Sequence, residues 1–170
     1  MKLLKTITDD DISGVKFRKL DEYKERTAGR AVLFNEMGEI ALLNVQKEKY
    51  HKLPGGGVEA GEEIDEALKR ECKEETGCKI EIEAELGVVE EYRNEFKLHQ
   101  LSKCYFARVI ERKEPNFTKR EKDRKFSLMF VPIEEAIKLM ELDKPDSYEG
   151  KYVVLRDLVL LKEALRIITE

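Results

Sequence analysis

The sequence predicts an α/β protein in which a mixed β-sheet lies between helices. Three observations carry that prediction. Strand-like and helix-like stretches interleave along the 170 residues. Two strands near residue 38 are joined by a short turn, so the sheet holds antiparallel neighbours. Three segments carry apolar residues at helical spacing and can each cover a sheet face. Interleaved elements that include a hairpin favour a mixed sheet over a purely parallel one. A chain of this length suits one domain, 1–170, with a sizeable core.

The elements follow in order. Residues 1–29 are polar and mixed, and read as an N-terminal extension or edge strand, with 15–20 as a short strand. Residues 30–35 (Arg-Ala-Val-Leu-Phe-Asn) form a strand, 36–39 a turn with Gly38 free to take positive φ, and 40–45 the returning strand. Pro54-Gly55-Gly56-Gly57 breaks regular structure. A helix spans 62–76, because Ile64, Ala67, Leu68 and Cys72 form one apolar stripe and Gly77 supplies a terminator. Strands follow at 79–82, 86–92 and 101–110. The dense mix of charges at 111–125 reads as an exposed loop. Residues 126–131 form a strand and 133–142 a helix with Pro132 at its start. A loop at 144–150 leads to a terminal helix at 153–168.

Composition narrows the function classes. With 41 % hydrophobic and 40 % charged residues the chain is charged but not depleted enough in apolar residues to be disordered. The net charge of −4 supplies no basic face on average, so nucleic acid is not the expected partner. Cys72, Cys78 and Cys104 are odd in number and irregularly spaced, which fits three small buried thiols better than disulfides or zinc. The N-terminal residues do not read as a signal peptide and no stretch reaches membrane-spanning length. A cytoplasmic protein without a membrane partner is the expectation.

The chemistry concentrates in 53–78. Glu71, Glu74 and Glu75 stand at i, i+3 and i+4, so they share one helical face. Like charges at these spacings destabilise a helix, and the C-terminal end of the helix dipole opposes them further. A carboxylate cluster placed against both effects invites a cation, and hard oxygen ligands suit Mg²⁺ or Mn²⁺. For three glutamates alone a solvated acidic face is the better explanation, since Lys69, Arg70 and Lys73 lie nearby. The glycines tip the balance. Gly55, Gly56 and Gly57 are costly to order and let a ligand approach the backbone closely.

Gly56, Glu62 and the run Arg70-Glu71-Cys72-Lys73-Glu74-Glu75-Thr76-Gly77-Cys78 are similar to the Nudix box, G-x5-E-x7-R-E-U-x-E-E-x-G-U, which would occupy 56–78. Every fixed Gly, Glu and Arg matches. The departures are Cys72 and Cys78 at the two aliphatic positions, where they touch packing more than chemistry. The resemblance implies an α/β/α sandwich with a mixed sheet, and divalent-metal-dependent hydrolysis of a phosphoanhydride bond in a nucleoside diphosphate linked to another group. Nucleoside triphosphates, ADP-ribose-like compounds and dinucleoside polyphosphates are the substrate classes. It also implies roles. Glu71, Glu74 and Glu75 become catalytic metal ligands, joined by the Gly55 carbonyl and by Glu59. Arg70 and Glu62 pair and orient the cluster.

The general base stays open among the box glutamates and Glu111, Glu114 and Glu121, each of the last three reading more readily as a solvated charge. Gly56, Gly57, Tyr92 and Arg93 are candidate substrate contacts, with Phe96, His99 and Tyr105 as further aromatic or imidazole candidates against an ordinary core or surface role. His51 reads as loop surface. Lys119, Arg120, Lys122, Arg124 and Lys125 either guide an anion or decorate a solvated loop. A non-catalytic nucleotide-sensing module and an RNA-cap pyrophosphohydrolase are the alternative functions. A small nucleotide is the expected partner, and a homodimer and a monomer are both compatible with the terminal apolar helix.

Overall fold

Alternation of apolar residues along 24–45 and helical spacing along 64–76 and 148–169 organise the computed structural model, which describes residues 1–170. The elements are β1 (Leu3–Ile7), a single short helical turn α1 (Asp9–Ser13), β2 (Lys24–Phe34), β3 (Ile40–Val45), β4 (Tyr50–Lys52), β5 (Gly55–Gly57), α2 (Ile64–Thr76), β6 (Cys78–Arg93), β7 (Leu98–Arg112), α3 (Lys119–Asp123), β8 (Phe126–Val131), α4 (Ile133–Leu142) and α5 (Tyr148–Thr169).

The eight strands form one mixed sheet in the order β1-β6-β7-β2-β3-β4, with β5 added to β2 and β8 to β3. The pairs β1–β6 and β2–β7 are parallel, and the rest are antiparallel. One edge of β2 pairs with β7 along its whole length. Its other edge is shared: Ala28 to Arg30 pair with β5, and Phe34 pairs with Ile40 of β3. That division brings the glycine strand alongside the middle of the sheet.

Successive residues of β2 face opposite sides, as a pleated strand requires. Ala31 and Leu33 join Leu68, Cys72 and Cys78 in a core beneath α2. Val32 joins Leu42, Tyr152, Leu160 and Leu161 in the larger core beneath α4 and α5. The molecule is therefore an α/β/α sandwich. Each fully buried leucine of α5 contributes about 1.5–3 kcal/mol relative to an exposed one. All three cysteines are free and buried, and burial pushes the Cys104 thiol well above its usual range.

Several boundaries differ from the sequence expectation. Residues 15–20 are not a strand; the N-terminal strand is β1, at the sheet edge. The two strands expected at 79–82 and 86–92 are one, β6, because register shifts around Glu83 and Glu85 absorb the polar interruption without ending the pairing. Gly55 to Gly57 do not break regular structure, because β2 offers them hydrogen-bonding partners. Helix α2 starts at Ile64, capped by Glu63 with Glu66 closing a capping box, and ends on Gly77 at φ 70°. The expected loop at 111–125 holds the end of β7 and the turn α3. Ser147 accepts a hydrogen bond from the Gly150 N–H, so α5 begins earlier than its apolar pattern. No helix is long and apolar enough to cross a membrane.

Candidate active site

Strand β5 has two working faces because its residues carry no side chains. A Cβ on Gly56 would lie 2.5 Å from the Glu71 carboxyl carbon, and one on Gly57 would lie 2.8 Å from the Arg26 guanidinium. The carboxylates of α2 thus approach one side of the glycine strand and an arginine of β2 the other. Around them lies a cavity of about 240 Å³, reached by Glu71, Glu74 and Glu75 on one wall and by Arg26, Arg30 and Arg156 on the other.

Each carboxylate is held differently. Glu75 is 1 % exposed; its Oε1 accepts from the Gly55 N–H at 2.9 Å and its Oε2 from Lys52 Nζ at 3.1 Å. Burial pushes its carboxyl up to about 7, against the pull of Lys52 and the Gly55 N–H. Glu71 Oε1 accepts from Arg70 Nη1 at 2.9 Å. Glu74 has no cationic partner. Desolvation raises its carboxyl, and the neighbouring Glu121 and Glu71 raise it further.

Arg70 explains the fixed spacing to Glu62. Its Nε and Nη2 donate to the two oxygens of Glu62 at 2.8 and 3.0 Å, a bidentate pair, while Nη2 also reaches the Gly57 carbonyl at 3.2 Å. The hydrogen bond from Arg70 holds the Glu62 carboxyl down at about 2. One guanidinium therefore ties the N-terminal lead of α2, the glycine strand and Glu71 together.

No three acidic, His or Cys side chains are gathered around one point. The donor set nonetheless fits a divalent cation. Lys52 Nζ already bridges Glu75 Oε2 and the Gly55 carbonyl, at 3.1 and 3.5 Å, so a positive charge is accommodated between two of the expected ligands. Glu71, Glu74 and Glu75 add hard oxygens that suit Mg²⁺ or Mn²⁺.

The other expected residues divide. Gly56, Gly57 and Arg93 line the cavity. Glu59 does not: its side chain is exposed, 3.8 Å from Arg70, because its own N–H is drawn to Glu62 as the chain turns away from β5. Tyr92 does not either. With Arg93 turned toward α5, the preceding residue on the strand faces the other side, where Tyr92 stacks on His99 at 4.5 Å and meets Tyr23. His99 there bridges Glu25 and Glu90, and Tyr105 belongs to the α2-side core. Phe96 packs on Tyr148, and His51 bonds Asp143. Of the charged segment, Arg120, Glu121 and Arg124 reach the cavity and Lys119, Lys122 and Lys125 do not; Glu111 and Glu114 do not line it.

Sequence reasoning passed over Arg26, Arg30, Lys52 and Arg156. The signals were present: Arg26 and Arg30 share one strand face, and Arg156 and Asp157 interrupt the apolar stripe of α5. A larger groove, about 830 Å³, runs between α2 and the β6–β7 hairpin, but none of the three glutamates reaches it, so size does not mark the site.

A model of the NUDIX domain matches residues 7–154. An ADP-ribose pyrophosphatase of Methanocaldococcus jannaschii is 41 % identical over 58 residues, 34 % of this chain and 34 % of that protein. The curated relatives are matched over only 22 % to 38 % of their length. Among solved structures, the MutT protein from Methanosarcina mazei Go1 superposes with a TM-score of 0.59 at 20 % identity, covering 89 % of this chain and all of that one. The C. elegans Ap4A hydrolase gives 0.54 at 19 % identity, covering 85 % and 99 %. At these identities the structures speak for the fold.

Proposed function

Because the chain belongs to the Nudix family, we propose that it is a divalent-metal-dependent hydrolase of a phosphoanhydride bond in a nucleoside diphosphate linked to another group. The observation that supports this reading most is the cavity in which the carboxylates of α2 face a set of arginines across a strand of glycines. The carboxylates suit a cation and the arginines suit phosphoryl oxygens. A solvated acidic helix face requires neither the glycines nor the arginines.

Glu71, Glu74, Glu75 and the Gly55 carbonyl are the residues assigned to hold Mg²⁺ or Mn²⁺. When bound, such an ion neutralises diphosphate oxygens and lowers the pKa of a coordinated water. The protein's own groups do the rest. Arg70 locks Glu71 and the glycine strand in place. The Gly55 N–H and Lys52 orient Glu75. Arginines on the opposite wall receive the phosphoryl oxygens that build up charge in the transition state. A carboxylate facing the cavity takes the proton of the attacking water; outside α2, Glu121 of α3 and Glu149 of α5 line the cavity, and Glu121 is the one the sequence nominated. The small volume, about 240 Å³, suits a small nucleotide rather than a nucleic-acid strand. A cytoplasmic setting belongs to the same proposal, resting on three unpaired buried thiols.

The test is product release from a panel of nucleoside triphosphates, ADP-ribose, nucleotide sugars and dinucleoside polyphosphates, with Mg²⁺ or Mn²⁺ and with chelator. Chelator-sensitive cleavage of one class is expected. Glu74→Gln is expected to lower that turnover by about a hundredfold or more, beyond the loss typical of partners that only orient a ligand, with the far-ultraviolet spectrum unchanged. A folded, metal-loaded protein that cleaves nothing in the panel overturns the hydrolase reading.

A further inference from the structure

Seven cationic side chains and five carboxylates line the cavity, and one buried cation among them has no carboxylate beside it. The buried acids beneath α5 are all engaged: Asp157 with Arg156 at 2.7 Å and the Leu53 N–H at 2.9 Å, Glu91 with Arg93 at 2.8 Å. Glu75 is engaged with Lys52. Arg30 is 5 % exposed, lines the cavity, and its Nε has no hydrogen-bond partner. Arg26 bonds only the neutral amide of Gln100 and lies over Gly57, where any side chain would displace it. Burial lowers the Arg30 guanidinium to about 10, with Arg156 adding to the effect, so it stays protonated at neutral pH.

Burying a charge without a partner is expensive. Arg30 is such a cation, tolerated where something else supplies the counter-charge; Arg26, four residues earlier on the same strand face, is exposed and lines the same cavity. The aromatic and aliphatic part of the lining is small, limited to Tyr50, Phe126 and Val153, so the cavity is built to grip phosphate more than a base. A terminal phosphoryl group carries about −1.5 to −2 at neutral pH, which two guanidiniums match. Each internal phosphoryl of a diphosphate joining two sugars carries a single negative charge, and a sugar placed there would leave one cation unbalanced.

We propose that Arg26 and Arg30 form a subsite for a dianionic terminal phosphoryl group, so that the substrate ends in a free phosphate, as a nucleoside triphosphate does. The assignment of that group to a substrate rests on the hydrolase reading above; the anion subsite itself does not.

Two measurements separate the two claims. In the first, thermal unfolding is followed in chelator with inorganic tripolyphosphate. The wild-type melting temperature is expected to rise by several degrees. That rise disappears in Arg30→Met and in Arg26→Gln, and partly returns in Arg30→Lys. Without tripolyphosphate, Arg30→Met is expected to melt higher than wild type, because an unpaired buried charge is gone. An equal rise in wild type and in Arg26→Gln, whose more exposed side chain makes misfolding no concern, overturns the subsite, as does no rise in wild type. In the second, kcat/KM is compared for a triphosphate and a diphosphate sugar of the same nucleoside. A preference of tenfold or more for the triphosphate, falling toward unity in Arg26→Gln, supports the substrate class; an unchanged preference overturns it. Absence of all turnover alongside an Arg26-dependent tripolyphosphate shift sinks the hydrolase reading and leaves the subsite standing.

Discussion

Glu75 is the box carboxylate with the most to lose from water, being fully buried between Lys52 and the Gly55 N–H. Its consequence can be read in stability. With the folded carboxyl at about 7 and the unfolded one near its ordinary value of about 4.3, the native state keeps a proton that the unfolded chain has already released. In chelator, stability is therefore expected to fall as pH rises from about 4.5 to 7, by on the order of 3 kcal/mol in total. It should be level below and above that window as far as this group is concerned. Glu75→Gln keeps an acceptor for the Gly55 N–H and removes the titration. Denaturant melts across this pH range should show the slope in wild type and a shallower one in the variant. Equal slopes would mean that Glu75 ionises freely despite its burial.

At the scale of an element, β5 separates two demands that the glycine run places on the chain. Gly55 sits at φ 142°, and a Cβ there would stand 2.0 Å from the Gly29 carbonyl oxygen, a backbone atom that cannot move aside. Gly55→Ala is expected to destabilise the fold by about 3 kcal/mol or more. At Gly56 the obstacle is the flexible end of Glu71. Gly56→Ala should cost only about 1 kcal/mol while displacing Glu71, a proposed metal ligand, so turnover is expected to fall at least tenfold. Urea melts and kcat/KM on both variants check the ranking. A catalytic loss confined to Gly55→Ala, with Gly56→Ala fully active, would remove Glu71 from the site.

At the scale of the whole molecule, the site is clamped between the two helical layers. Asp157 of α5 accepts from the Leu53 N–H, and Glu75 of α2 accepts from the Gly55 N–H, so the turn leading into β5 is tied from both faces of the sheet. Asp157 also neutralises the fully buried Arg156. Asp157→Ala strands a guanidinium and an N–H in the interior at once, and is expected to cost about 3–5 kcal/mol. Asp157→Asn keeps an acceptor for Leu53 and should cost less. Chemical denaturation gives the comparison, and equal stabilities for wild type and alanine variant would show that the layer beneath α5 does not anchor the site.

Local pattern sufficed for much of this architecture. The stripe of Ile64, Ala67, Leu68 and Cys72, closed by Gly77, marks α2 because helical period and termination are local properties of the chain. The spacing of Arg70 and Glu62, and the three glutamates on one face, were legible for the same reason, and so was the family. Strand continuity was not. Whether β6 ends at the polar stretch around Glu83 depends on whether β7 stays paired across a bulge, and whether three glycines form a strand depends on β2 offering an edge. Nor was the second wall of the cavity. The β2 pair Arg26 and Arg30, Arg120 of α3 and Arg156 of α5 lie far apart along the chain, and only the stacking of α5 and the placement of α3 over the sheet bring them to one cavity. Tyr92 and Arg93 make the contrast in two adjacent residues: composition nominated both, and the direction of each side chain from β6 admits one. Chemistry carried by one helix can be read from its own period, whereas chemistry assembled across a sheet waits for the register that pairs its strands.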